Sequence, residues 1–216
     1  MALKALEKRS YNCEVRALSG EDGYNIVGRP IVYESRTDLG WFDEVIARGA
    51  LDEADLTDVR FLINHDLRRI PLARSRRNNG NSTMLLSPDY EGMEIKANID
   101  VENNSDSRAL YSATERGDIT GMSFMFSIDA EEWEDLDSDH PTRRITKIGS
   151  VVEVSAVTIP AYESTSISAR SNEELESSKI VLEKAREEYR QKNKPVETGS
   201  NELELEKLKF NFRSKL

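Results

Sequence analysis

Cysteine occurs once in these 216 residues, at Cys13, and histidine only twice, at His65 and His140. One thiol cannot close an internal disulfide, and a lone Cys with two His offers too few soft ligands for a structural zinc site. Cys13 therefore reads as a small core side chain. No apolar run approaches the ~18 residues a membrane span needs, and Met1 to Arg16 lacks the basic-then-apolar order of a signal peptide. These absences predict a soluble, intracellular protein with no metal centre, no cofactor and no membrane partner. An excess of positive charge is missing too. Residues 171–216 hold ten of the 30 basic and ten of the 40 acidic side chains, so the whole net charge of −10 belongs to residues 1–170. A body that acidic argues against nucleic acid as a partner, because phosphate binding needs clustered Lys and Arg.

What is present is mostly strand-like. Tyr11 to Leu18 and Tyr24 to Tyr33 read as two strands of a hairpin around Ser-Gly-Glu-Asp-Gly, with Gly28 and Pro30 marking a bulge in the second. Phe42 to Leu51 reads as a turn-rich link, with one helical turn after Arg48. Val59 to Asn64 is a short apolar run of the kind that fits a buried strand. Ile70 to Ala73 and Thr83 to Ser87 are short β candidates, and Gly92 to Ile99 alternates Met93, Ile95, Ala97 and Ile99 with polar residues, as a strand with one wet face does. Asn104 can cap a helix running to about Arg116, with Gly117 as its left-handed stop. Asp129 to Asp139 packs seven carboxylates into eleven residues. It lacks the spacing and Gly of a calcium loop and reads as a solvated hairpin tip. Arg143 to Ile159 is the longest strand-like stretch.

Three residues suggest chemistry. Ser123 lies in Gly117 to Phe126, where the chain leaves a turn and enters an apolar strand, a good place to present a nucleophile. His65 follows the Val59 to Asn64 run, at a strand end where side chains emerge into clefts. Glu153 is flanked by Val151, Val152 and Val154 and shares a strand face with Ser155. A carboxylate in that setting stays charged only beside a donor or cation, and an imidazole would serve. The bland readings are a buried hydroxyl bonded to a carbonyl, a structural His, and a Glu that is solvated or paired with Lys or Arg. Together the three would supply nucleophile, general base and orienting carboxylate for acyl transfer. Asp66 is the alternative carboxylate.

The ordered set Asn64-His65-Asp66, Gly121-Met122-Ser123-Phe124-Met125-Phe126 and Glu153-Val154-Ser155-Ala156-Val157-Thr158-Ile159-Pro160-Ala161 resembles the prohead maturation proteases of tailed bacteriophages, distant relatives of herpesvirus assemblin. Glu44 to Leu51 resembles the family's segment before its histidine. Several motifs in order are more specific than any one alone. The resemblance, over roughly residues 10 to 170, implies an α+β fold: a partly open, mainly antiparallel β-barrel with flanking helices. It implies a serine endopeptidase with His65 as base, Ser123 as nucleophile and Glu153 as third member. It further implies action in the host cytoplasm, inside an assembling procapsid, on scaffold and major capsid protein and on the protease itself, and leaves self-association open. One departure is Met125, where members often carry Gly.

From Ser171 the pattern changes. Leu175, Leu182 and Tyr189 lie seven apart on a helix, 194–200 reads as a linker, and Leu203, Leu205, Leu208 and Phe212 mark a second short helix. The expected division is a protease domain, 1–170, and a helical, charged C-terminal tail, 171–216, that docks on scaffold or capsid subunits or is removed by self-cleavage. Two other classes fit the residues: a catalytically inactive relative serving as a scaffold- or capsid-binding module, and an unrelated esterase or amidase. The esterase lacks support from a Gly-x-Ser-x-Gly elbow.

Overall fold

A computed structural model describes residues 6–158 and 172–193. The described chain forms eleven strands and two helices. The larger sheet runs β1 (Leu6–Asn12), β10 (Gly121–Glu134), β11 (Thr142–Val157), β5 (Asp43–Ile46) and β4 (Arg36–Asp38), and β6 (Asp58–Ile63) joins β11 while carrying β7 (Ala73–Arg76). The smaller sheet runs β2 (Val15–Gly20), β3 (Gly23–Val32), β9 (Gly92–Ile99) and β8 (Met84–Pro88). Only the pairings of β11 with β5 and with β6 are parallel. One apolar core unites the two sheets, with Ile26, Ile31 and Ile95 from the smaller and Phe61, Phe124, Phe126 and Val154 from the larger.

The expected mainly antiparallel α+β fold is present, but the barrel is not: among the described residues the strands make two sheets with no ladder closing them. The break lies where one strand was expected, from Tyr11 to Leu18. The chain leaves β1, paired with β10, at Asn12 and enters β2, paired with β3, at Val15. Alternation marks a buried face within each strand, but it does not say which neighbour the strand will pair with. The Phe42 to Leu51 link likewise contains a strand, β5, whose Val45 and Ile46 are buried beside β11.

Other local signals carried through. Helix α1 (Ser105–Glu115) is capped by the Asn104 side chain, which accepts from the main-chain N–H groups of Asp106 and Ser107, and Gly117 stops it at φ 79°. The β3 bulge falls between Gly28 and Ile31. Gly92 closes the turn into β9 at φ 147°, where a Cβ would lie 2.0 Å from the Ile31 carbonyl oxygen. Helix α2 (Asn172–Lys192) lays Leu182 on Phe42 and Leu136, while Arg186 donates to the carbonyls of Leu136 and Ser138. Leu182 of its apolar seam is thus used within the chain, while Tyr189 stays exposed. The second tail helix expected around Leu203 to Phe212 lies outside the described residues.

The acidic stretch is, as expected, the solvated end of the β10–β11 hairpin, with Glu131 alone of its seven carboxylates half-buried. Strand β10 extends to Glu134, and Glu131 is drawn into an ion network with Arg143. Arg143 also meets Glu7 at 3.0 Å and Glu44 at 3.2 Å, and Arg9 meets Glu44 through both carboxylate oxygens and Glu7 as well. Burial alone would raise the Glu7 carboxyl, but the Arg9 and Arg143 guanidinium groups outweigh it and hold the pKa below the ordinary carboxylate range. A carboxyl depressed in the folded state contributes stability that is complete above its unfolded value, about 4.3, and lost as pH falls through the folded one. Denaturant titrations should show stability falling from about pH 5 downward, and Glu7→Gln should flatten that slope. An unchanged slope in the variant would remove Glu7 from the account.

Candidate active site

The long β10–β11 ladder carries two of the three candidate residues. Ser123 pairs with Ser155 and Met125 with Glu153, so by period-2 alternation these four share one face, while Phe124, Val154 and Ala156 take the other, toward the core. A register shift follows at once between Met125 and Phe126, so the ladder is regular across the Ser–Glu pairs and bulged beyond them. Strand β6 lies parallel to the end of β11, with Leu62 opposite Ser155 and Ile63 opposite Ala156. It therefore delivers the chain beyond Ile63 next to Ser155.

At that point the backbone turns back on itself. Asn64 (φ 50°) and His65 (φ 60°) are both left-handed, a conformation costing roughly 1–2 kcal/mol per non-glycine residue. Contacts with β11 and beyond hold it in place. The Asn64 N–H donates to the Ala156 carbonyl at 3.0 Å, the Asn64 side-chain oxygen accepts from the Thr158 N–H at 3.0 Å, and the His65 N–H donates to Ser155 Oγ at 3.1 Å.

The turn sets the imidazole against Glu153. His65 Nδ1 lies 2.5 Å from Glu153 Oε1, the imidazole is 15% exposed and the carboxylate fully buried. A carboxylate accepts, so the contact suits the tautomer protonated at Nδ1, with Nε2 as the ring's other nitrogen. Glu153 Oε2 is met by the Ser155 hydroxyl at 2.5 Å. Of the two carboxylates weighed as orienter, Glu153 is the one beside the ring; Asp66 turns to Arg68 and Arg69. The other histidine, His140, is at the opposite end of β11, against Asp43 at 3.2 Å.

Ser123 is fully buried, directly across the strand pair from Ser155. Its hydroxyl donates to the Arg9 carbonyl on β1 at 2.7 Å. The structure thus joins His65 to Glu153 and sets Ser123 on the same face, with its proton directed to β1. Two partners escaped the sequence reading. The bond from Ser155 to Glu153 has a signal, since Glu-x-Ser on a strand puts both side chains on one face; the Arg9 carbonyl has none, because the pairing of β1 with β10 is a matter of topology. A cleft of about 280 Å³ flanks the Asn64–Asp66 turn, lined by Leu62, Ile63, Leu72 and Ile70 together with the polar Asn64, Asp66, Arg69 and Asp106; Ser123, His65 and Glu153 are not in its lining.

A family model described as caudovirus prohead serine protease matches residues 11–179. Among solved structures, that of the bacteriophage T4 capsid assembly protease, gp21, is similar with a TM-score of 0.44 and 13% identity, over 72% of this chain and 98% of that one. No curated protein matches.

Proposed function

The chain belongs to the caudovirus prohead serine proteases, and on that footing we propose that it is the endopeptidase of procapsid maturation, with Ser123 as nucleophile, His65 as base and Glu153 as orienting carboxylate. The observation that carries the assignment is the 2.5 Å contact between His65 Nδ1 and the buried Glu153 carboxylate. That contact fixes the ring and its tautomer and leaves Nε2 to act. For the reaction the Ser123 hydroxyl must leave the Arg9 carbonyl that it donates to and give its proton to His65. Its oxygen then attacks a peptide carbonyl, His65 takes the proton, and the same imidazolium returns it to the leaving amine.

Substrates in this reading are the scaffold and the major capsid protein of a tailed phage, met inside the assembling procapsid in the host cytoplasm, and the protease itself. The division into a protease domain, 1–170, and a tail, 171–216, is part of the same proposal, with recruitment or self-removal assigned to the tail. The contacts of Leu182 and Arg186 mean that α2 is attached to the body while it serves.

Two measurements test the reading together. Wild-type protein incubated with the phage's major capsid protein should release defined fragments, seen by intact mass. A phosphonofluoridate probe should form one adduct, on Ser123, and lose it in His65→Ala, because the serine is a weak nucleophile without its base. An inactive relative acting as a scaffold- or capsid-binding module would bind the capsid protein without cleavage or labelling, and that outcome would replace this proposal.

A further inference from the structure

Ser155 stands at the centre of the candidate site. Its side chain is fully buried, and its one hydroxyl spends both its capacities on the catalytic pair. The O–H donates to Glu153 Oε2 at 2.5 Å, and the oxygen accepts the His65 main-chain N–H at 3.1 Å. Among the described residues no other side chain hydrogen-bonds to both His65 and Glu153. With its proton committed to a carboxylate and a lone pair to an amide, Ser155 is not itself placed to attack a substrate.

We propose that Ser155 is a positioning residue of this protease, a hydroxyl clamp that aims Glu153 at the imidazole and holds the left-handed turn carrying His65. The proposal rests on the reading of His65, Ser123 and Glu153 given above. A buried carboxylate with one oxygen unpaired would lose one of the bonds that offset its desolvation and could rotate, giving its second oxygen to the ring or drawing in another donor. The His65 amide N–H would also lose its acceptor, and it belongs to a residue whose φ of 60° is already unfavourable. One side chain therefore opposes two errors, in carboxylate angle and in ring position. Misplacement of a reacting group by about 1 Å can cost a hundredfold in rate. The β10–β11 register contributes as well, because Ser155 faces Ser123 directly and so keeps clamp and nucleophile one strand apart.

The test is Ser155→Ala, with Ser155→Thr, which keeps the hydroxyl, as the rescuing variant. Capsid-protein processing should show kcat falling about 10- to 100-fold in Ser155→Ala with KM nearly constant, and recovering most of the loss in Ser155→Thr. The second readout is the low-field proton resonance of His65 Nδ1–H, recorded in a Ser123→Ala background so that no turnover occurs. It should be sharp with Ser155 present and broadened or lost in Ser155→Ala. Wild-type kcat together with an unchanged resonance in Ser155→Ala would overturn the proposal. Should that variant fail to fold, Ser155→Cys retains the volume but offers only a weak S–H donor. Wild-type kcat in that variant would overturn it equally. Residual processing by Ser123→Ala would sink the nucleophile assignment instead, while the resonance would still report whether Ser155 holds the histidine.

Discussion

Ser123→Ala is expected to lower capsid-protein processing by about 10,000-fold or more and to leave the fold in place. The chemistry has no substitute at that position: Ser155, the hydroxyl across the strand pair, is engaged by Glu153 and His65, and Ser127, four pairs further along β10, bonds to Ser150. The structural cost is small. The hydroxyl makes one recorded bond, to the Arg9 carbonyl, and losing such a bond typically costs about 1 kcal/mol. A thermal midpoint within a few degrees of wild type is therefore expected. Because nucleophile and base act as a unit, adding His65→Ala to Ser123→Ala should lower the rate little further. A double variant that is much slower than either single one would show two independent contributions and undo the assignment. Wild-type processing by Ser123→Ala alone would do so more directly.

The largest effect on stability should come from Glu44. Its carboxylate is 1% exposed and binds two guanidinium groups, those of Arg9 and Arg143, themselves 12% and 5% exposed. Removing Glu44 takes from both guanidinium groups their one fully buried counter-charge and leaves them only the more exposed Glu7 and Glu131, a loss toward the ~3–5 kcal/mol that breaking a buried ion pair costs. Glu44→Ala should lose that much in urea unfolding, a large part of the 5–15 kcal/mol typical of a domain. Replacing Glu44 together with Arg9 by apolar residues of similar size should recover much of the loss, since the penalty lies in the uncompensated charge rather than in the missing attraction. A Glu44→Ala protein within about 1 kcal/mol of wild type would mean that the guanidinium groups find other partners or water, and would contradict the burial on which the prediction stands.

How much of this could be read from residues alone depends on distance along the chain. Helix α1 was legible because its signals are local: Asn104 caps within three residues and Gly117 stops the last turn. Strand β9 was legible through its alternation. His65 and Glu153 could be nominated as partners from their settings, yet the contact between them spans 88 positions and is made by the parallel pairing of β6 with β11, which no local pattern encodes. Phe42 to Leu51 misled because Gly49 and the turn after Arg48 dominate its composition, while the four residues of β5 owe their extended form to β11. Met125, the departure from the family's usual Gly, occupies a buried position opposite Glu153, so it packs beside the carboxylate.

The bond from Ser123 to the Arg9 carbonyl has a consequence for handling the protein. Strand β1 is an edge strand, anchored on one side to β10 and through Arg9 and Glu7 to the buried ion group. Its main chain, at the Arg9 carbonyl, accepts the hydrogen bond of the Ser123 hydroxyl across a separation of 114 positions. An affinity tag or fluorescent protein joined directly ahead of Leu6 would pull on that strand, and any loosening would reach the serine as a change in which way its hydroxyl points. A label placed there is expected to alter the rate of serine modification, and a flexible spacer to restore it.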